Sequence, residues 1–258
     1  MPSFPSMLEI PISADTLGWS WYQIQTPTHP SKDFWIGTDT QGNRWLTKLR
    51  GSFYAYREIV FARIVQRLGW SCQSTMFVRL DEESARTLGR KAGEVHAAHW
   101  YMSQHAGTRC GEDCSMVEVF GRQVESINDL NVAGISHLLD WPKSELAAYI
   151  FGGNEPPGRL FTTAHEFVVI DSEQMFSTDP CPFDDSPWLK NSDGTMFPGG
   201  MELAAEVCAE IASLPGSFLS EALAKPPGLS VKLSWPIKPK LVASMMFAAT
   251  YAQRCTGA

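Results

Sequence analysis

The segment FGGNEPPGRLF, residues 151–161, limits the fold of this chain more than any other stretch. Its glycines and its two adjacent prolines exclude a helix and a central strand, because each proline lacks an amide N–H and has a fixed φ angle. Residues 167–170 follow as a short β-rich run that ends at Asp171. The sequence therefore predicts a rigid polar loop, a short hairpin and a carboxylate at a strand end, an arrangement that can hold a metal ion and a phosphate.

Composition and charge limit the class of protein to which this chain can belong. With 258 residues and 44% hydrophobic content, the chain is predicted to be globular with a substantial core. Its net charge of −7 disfavours a nucleic-acid-binding face. No apolar run has the ~18 residues of a membrane span, and the first residues do not resemble a signal peptide. We therefore expect a cytoplasmic protein that contacts neither nucleic acid nor membrane directly, with most of its six scattered cysteines as free thiols.

The order of the predicted elements indicates an α+β fold. Period-2 runs and turn signals predict a β-rich first part, and apolar residues at helical spacing predict one main helix in it. The second part is predicted to be mostly helical. The predicted strands cover residues 34–39, 44–49, 75–80 and 96–104, and the predicted helices include residues 53–68, 81–90, 201–213, 216–224 and 238–255.

This order matches the bilobal plan of protein-kinase-like folds, in which a nucleotide lies between the two lobes. The expected N-lobe covers residues 1–106 and contains the main helix. The expected C-lobe covers residues 107–258, and residues 151–176 form a hairpin that is similar to a kinase catalytic loop. Many α+β proteins share this order, so the function has to be inferred from individual side chains.

Three ionisable residues follow one another in the order that a phosphate-transfer site needs. Lys48 ends a predicted strand, Glu58 lies in the following helix, and Asp171 comes just after a buried strand. A lysine carries a compact charge on a long stem, which suits phosphate, and a helix glutamate can hold it in place. An aspartate can bind a hard divalent cation. The structural alternatives are a solvated edge lysine, a helix-surface glutamate and a turn aspartate.

Four segments carry a family resemblance. They are WLTKLRG, YREIVFARIVQRLGW, LAAYIFGGNE and VVIDSEQMF, and they resemble the HipA-like kinases, relatives of the phosphatidylinositol-kinase-like group. The resemblance covers residues 34–176 in pieces. It implies that the chain binds ATP and Mg²⁺ and phosphorylates Ser or Thr of a protein. In it, Lys48 contacts the phosphates, Glu58 holds Lys48, and Asp171 is the metal ligand.

The resemblance also implies further contacts to the nucleotide. Met102 and Gln104 fall in the hinge that cradles adenine. Gly51 and Ser52 stand where relatives have a longer phosphate-binding loop, so we expect them near the phosphates. Ser52 has two other interpretations, an autophosphorylation site or the N-cap of the main helix, and we prefer the N-cap.

The predicted catalytic loop departs from the family pattern. The family has an aspartate followed some five residues later by an asparagine, whereas this loop has Glu155 as its only carboxylate and Arg159 near the asparagine position. An arginine has donors and no acceptor, so it cannot bind Mg²⁺, although it can neutralise phosphate charge. Two functions stay open: a kinase that uses Glu155, and a pseudokinase that acts as a regulatory or complex-forming module. The residues identify neither a protein substrate nor a partner.

A third interpretation is a zinc-dependent enzyme that is unrelated to kinases. Its candidate ligands are His96, His99, His105, Cys110 and Cys114. Imidazole and thiolate groups are the ligands that zinc prefers. The spacings do not match a standard zinc finger, and in a strand the first two histidines would point to opposite faces.

Overall fold

A computed structural model gives the fold of the chain. It describes residues 12–23, 34–100, 109–110, 140–154, 157–161, 167–170, 172–180, 200–227, 229 and 236–256. Within these ranges the strands are β1 (Ser13–Asp15), β2 (Ser20–Gln23), β3 (Phe34–Thr38), β4 (Arg44–Lys48), β5 (Thr75–Arg79), β6 (Val95–Trp100), β7 (Arg109–Cys110), β8 (Gly158–Phe161) and β9 (Phe167–Ile170). The helices are α1 (Ser52–Arg67), α2 (Glu82–Leu88), α3 (Asp140–Ile150), α4 (Gly200–Ala212), α5 (Phe218–Ala222) and α6 (Ile237–Thr256).

Six strands form a curved sheet. Their order is β1-β5-β6-β4-β3-β2, and every neighbouring pair is antiparallel except β1 with β5. The edge strands β1 and β2 are joined only by residues 16–19. In a flat sheet the outer two of six strands lie about 24 Å apart, but the chain from Asp15 to Ser20 can span at most about 18 Å. The two edges therefore approach each other, and the sheet is strongly curved.

Helix α1 is flanked by glycines at both ends. Gly51 has a φ of 88° and is the N-cap, and Gly69 follows the last turn with a φ of 78°. Both angles lie in the left-handed region that glycine adopts most readily. The prediction that Ser52 is the N-cap is wrong, because Ser52 is already helical and its hydroxyl donates to the carbonyl of Val95, 3.1 Å away. That hydroxyl links α1 to β6 instead.

The largest cluster of buried apolar residues extends from the sheet into the helices. It includes side chains from α1, β5 and β6, and also from α3, β9, α4, α5 and α6. The ring of Phe61 meets that of Phe151 at 5.9 Å between centroids, and Tyr56 stacks on Phe77 at 6.1 Å. This core therefore crosses the boundary predicted near residue 106, and the division into two lobes stays a prediction.

The second sheet contains the predicted hairpin, and the segment that follows α1 is hydrogen-bonded to it. Strands β7, β8 and β9 form an antiparallel sheet, and β8 with β9 is the hairpin expected from the sequence. The main chain after α1 runs beside β9: the N–H of Val169 donates to Ser71 and its carbonyl accepts from Gln73, at 3.0 and 2.9 Å. Strand β9, which leads to Asp171, is thereby fixed to the segment that follows α1.

The prediction of a mixed α and β fold is confirmed, with a β-rich first part and a helical later part. The helices expected at residues 53–68, 81–90, 201–213, 216–224 and 238–255 agree with the structure to within two residues at each end. In the described part of the chain, no helix has the length and apolar character that a membrane span requires. Cys72, Cys208 and Cys255 are free thiols there, as expected.

Candidate functional site

Lys48 and Glu58 form a buried ion pair. The Nζ atom of Lys48 lies 2.8 Å from Oε1 of Glu58, and the two side chains are only 6% and 3% exposed. Strand β4 ends at Lys48, and Glu58 faces it from the second turn of α1. A charge taken out of water costs several kcal/mol unless a partner compensates it, so each residue depends on the other. The alternative of a solvated edge lysine and a helix-surface glutamate is therefore wrong.

His99 faces the second oxygen of the same carboxylate. Its Nε2 atom lies 3.3 Å from Oε2 of Glu58, an electrostatic contact without the geometry of a full hydrogen bond. Burial by itself raises the pKa of Glu58, but His99 and Lys48 outweigh it, so that pKa is well below its usual range. Glu58 is therefore an ionised carboxylate that lies between the Lys48 ammonium and the His99 imidazole. The sequence pattern had suggested His99 only as a zinc ligand.

Two further residues lie next to Glu58. Burial, and then the charge of Glu58, raises the pKa of the Cys72 thiol far above its usual value, so Cys72 is a neutral neighbour. The hydroxyl of Ser172 donates to the main-chain oxygen of Glu58 at 3.4 Å. Ser172 directly follows Asp171 in the chain. The chain that leaves β9 thus returns to α1 one residue after the predicted metal ligand.

Arg57 holds the next residues of this segment against α1. Arg57 is 5% exposed, and its guanidinium donates to the main-chain oxygens of Gln174, at 2.7 Å, and of Met175, and also to the hydroxyl of Ser177. Guanidinium donors are planar and fixed in direction, so three acceptors define the position of the segment. Residues 172–177 are therefore attached to the helix that carries Glu58.

The turn between β4 and α1 also contacts this segment. Arg50, two residues after Lys48, forms an ion pair with Glu173. Gly51 and Ser52 follow at the first turn of α1, which contains no acidic residue. The end of β4, the start of α1 and residues 172–177 thus meet in one place.

The start of the predicted catalytic loop is joined to the same segment. The amides of Ser177 and Thr178 both donate to the carbonyl of Gly152 at 2.8 Å, and the amide of Phe176 donates to that of Phe151 at 2.8 Å. A Cβ atom on Gly152 would lie 2.0 Å from the carbonyl oxygen of Thr178, so only glycine fits. Phe176 has a φ of 60°, a strained conformation for a non-glycine residue. Residues 151–152 and 176–178 are therefore joined through their main chains.

Several predicted site residues lie outside the described part of the chain. Glu155, Asp171, Met102 and Gln104 belong to this group, and their predicted roles stay predictions. Arg159 lies in β8, where its main chain pairs with Val169.

The predicted zinc ligands do not meet where they are described. His96 and His99 are each 2% exposed and face opposite sides of β6: His99 faces Glu58, and Nε2 of His96 lies 3.4 Å from Oε2 of Glu94. Among the described residues, no three histidine, cysteine or acidic side chains could hold a metal ion together. His105 and Cys114 lie outside those residues, and Cys110 pairs through its main chain with Arg159.

Comparison with known proteins identifies the fold. The chain matches the crystal structure of a Helicobacter pylori proinflammatory kinase, CtkA, with a TM-score of 0.62 and 10% sequence identity, over 94% of this chain and 98% of that one. No family model and no curated protein matches the sequence. At 10% identity the likeness shows the fold alone. The chain therefore has a kinase-like fold, with a six-stranded sheet and six helices in its described part.

Proposed function

We propose that this chain binds ATP with Mg²⁺ and transfers the terminal phosphoryl group to a serine or threonine hydroxyl of a protein. The observation that carries the proposal is the buried Lys48–Glu58 pair, 2.8 Å apart at the junction of β4 and α1. Phosphoryl transfer depends mostly on positioning and on charge stabilisation, and a lysine held by a helix glutamate provides both. The kinase-like fold supports the same function.

Lys48 would contact the phosphates, and Glu58 would keep the lysine in position. Because both side chains are nearly excluded from water, the charge of Lys48 is screened much less than on the surface. Gly51 and Ser52 would lie near the same phosphates, since they come three and four residues after Lys48, at the N-cap and the first residue of α1. Met102 and Gln104, which follow β6 in the chain, would contact the adenine between the two proposed lobes, residues 1–106 and 107–258.

Asp171 would hold the metal ion, because its carboxylate is the kind of ligand that Mg²⁺ prefers. The residues on both sides of it support this role, since β9 leads up to it and Ser172 is held against Glu58. Bound Mg²⁺ would neutralise charge on the phosphates. Glu155 would orient the acceptor hydroxyl, and Arg159 would neutralise phosphate charge, since a guanidinium cannot serve as a metal ligand.

A second candidate function is that of a pseudokinase, a regulatory or complex-forming module that binds the nucleotide without transferring phosphate. The observation in its favour is the loop sequence, in which Glu155 and Arg159 replace the aspartate and asparagine of the HipA-like pattern. Both functions share the nucleotide site and differ only in turnover.

Nucleotide binding can be tested by thermal unfolding with and without ATP and Mg²⁺. At one hundred times Kd, a ligand stabilises the folded state by about 2.7 kcal/mol. We expect this stabilisation in the wild type and its loss in Lys48→Ala and Asp171→Asn. Lys143→Ala is the matched control, because Lys143 also pairs with glutamates, Glu206 and Glu210 at 2.7 Å, but on another part of the molecule. Equal loss in the control, or no stabilisation of the wild type, would contradict the proposal.

Transfer of label from γ-labelled ATP to protein then separates the two functions. Transfer that is present in the wild type and absent in Glu155→Gln would indicate a kinase. Nucleotide binding without transfer would indicate the pseudokinase.

A further inference from the structure

Strand β6 carries two buried histidines that differ in what they face. Both His96 and His99 are 2% exposed. In the register of β4 with β6, Lys48 pairs with Ala97 and Leu46 pairs with His99. Residues directly opposite each other, and residues two apart in a strand, lie on the same face of a sheet. Lys48 and His99 are therefore diagonal neighbours on the face that α1 covers, whereas His96 lies on the other face.

The carboxylate of Glu58 is held from two sides by these neighbours. Lys48 contacts Oε1 at 2.8 Å, and the Nε2 atom of His99 lies 3.3 Å from Oε2. Lys48 and His99 both lower the pKa of Glu58 against the effect of its burial. The third ionisable neighbour, Cys72, has a pKa that burial and Glu58 raise strongly, and its neutral thiol donates to the carbonyl of Gln73 at 3.6 Å.

We propose that His99 is a positioning residue for the phosphate-binding lysine: it fixes the second oxygen of Glu58, and Glu58 in turn holds the ammonium of Lys48 in place. A carboxylate held at one oxygen only can turn about its last bond, because that torsion is broad. Held at both oxygens, it presents Oε1 to Lys48 in a single direction. This role rests on the proposed nucleotide site, but the contacts among the three side chains can be tested separately from nucleotide binding.

The role of His99 can be measured on Lys48 directly, without ATP. Limited acetylation with acetic anhydride, followed by mass spectrometry of residues 45–50, reports how accessible and mobile the Lys48 amine is. In His99→Leu we expect acetylation of Lys48 to be faster by about tenfold, the scale of losing one contact to a charged group. His99→Gln keeps an N–H that can reach Oε2, so we expect it to restore slow acetylation.

His96→Leu is the matched control, because it removes an equally buried histidine from the other face of the same strand. We expect the acetylation of Lys48 in this variant to equal that of the wild type. Faster acetylation in both leucine variants would show a general loosening of β6 and would overturn the proposal. Unchanged acetylation in His99→Leu would overturn it as well. If His99→Leu does not fold, His99→Phe and His96→Phe form the equivalent pair at larger side-chain volume.

ATP affinity supplies the second readout and separates this proposal from the proposed function. We expect the Kd for ATP with Mg²⁺ to rise about tenfold in His99→Leu and to recover in His99→Gln, since the loss of one contact to a charged group has this scale. If the wild type binds no ATP while the acetylation pattern holds, the proposed function fails and the positioning role of His99 stands. If the wild type binds ATP and His99→Leu binds it equally well, His99 has no positioning role and the proposed function stands.

Discussion

The two sides of the candidate site are built in different ways. On the lysine side, Lys48, Glu58 and His99 meet through their ionisable groups, and each side chain is at most 6% exposed. On the loop side, residues 151–152 and 176–178 meet through three main-chain hydrogen bonds, each 2.8 Å long. The first arrangement depends on which side chains are present, and the second depends on the path of the backbone.

This difference predicts where substitutions are costly and where they are tolerated. On the lysine side, a change to one residue leaves another charge buried without its partner, so substitutions there are costly. On the loop side, the backbone contacts allow most side chains, with Gly152 as an exception. Glu155 and Arg159, which replace the aspartate and asparagine of the HipA-like pattern, follow in the loop sequence. We therefore expect substitutions on the loop side to be less destabilising than substitutions on the lysine side.

The largest expected effect is on the lysine side. Glu58→Gln removes the charge between Lys48 and His99 and leaves a buried lysine uncompensated, a change that typically costs about 3–5 kcal/mol. Urea unfolding would measure it. Glu206→Gln is the control, because the Glu206 side chain is 55% exposed and its pair with Lys143 contributes little. Similar losses in the two variants would show that the buried Lys48–Glu58 pair contributes no more to stability than an exposed ion pair.

The next effect tests the dependence of the loop side on its backbone. Gly152→Ala places a Cβ atom 2.0 Å from the carbonyl oxygen of Thr178, at a φ of 61°. Backbone strain and overpacking each cost roughly 1–3 kcal/mol, so we expect a loss of about 3 kcal/mol in the free energy of unfolding. Gly216→Ala is the control, because an added Cβ there meets no atom within 4 Å. A fully stable Gly152→Ala protein would contradict the close approach.

Two similarly buried arginines on α1 test whether the lysine side and the loop side of the site are linked. Arg57 and Arg63 are 5% and 6% exposed, and both donate to main-chain oxygens of distant segments. Arg57 holds Gln174 and its neighbours, whereas Arg63 holds Ala222 and Ala224. Each arginine-to-glutamine change is expected to cost about 2 kcal/mol in urea unfolding.

Only Arg57→Gln should also weaken stabilisation by ATP with Mg²⁺, because it releases the segment that follows Asp171. Equal weakening in Arg63→Gln would mean that α1 responds as a whole, without a specific link between Arg57 and the site.

The smallest effect concerns the side of α1 that is remote from the site. Burial raises the pKa of Tyr56 to about 12 against the opposing charge of Arg63, and the Tyr56 hydroxyl donates to the carbonyl of Leu223 at 2.8 Å. Because the folded pKa lies above the unfolded value of 10.0, this contribution to stability is complete below pH 10 and is lost as the pH rises through about 12. Tyr56→Phe should cost about 1 kcal/mol at neutral pH.

Melting temperatures between about pH 9 and pH 11.5 check the pH dependence. The wild type should lose more stability over this range than Tyr56→Phe does, because the variant has no phenol to ionise at this position. Parallel curves for the two proteins would contradict the raised pKa of Tyr56.

The sequence predicted those features that depend on local pattern. Helix α1 follows from its apolar spacing, and the positions of Lys48 and Glu58 follow from a strand end and a helix that come one after the other. The contact of His99 with Glu58 could not be predicted, because it requires the register of β6 against β4. The burial of Arg57 and Arg63 depends on carbonyls more than 100 residues away in the chain. Long-range acceptors of this kind leave no periodic signal in the sequence.

The most direct test of the account is a crystal structure with Mg²⁺ and a non-hydrolysable ATP analogue. We predict a phosphate oxygen within hydrogen-bond distance of the Lys48 ammonium, about 3 Å, with the Lys48–Glu58 pair intact. A triphosphate bound away from Lys48, or none at saturating concentrations of the analogue, would contradict the proposed site.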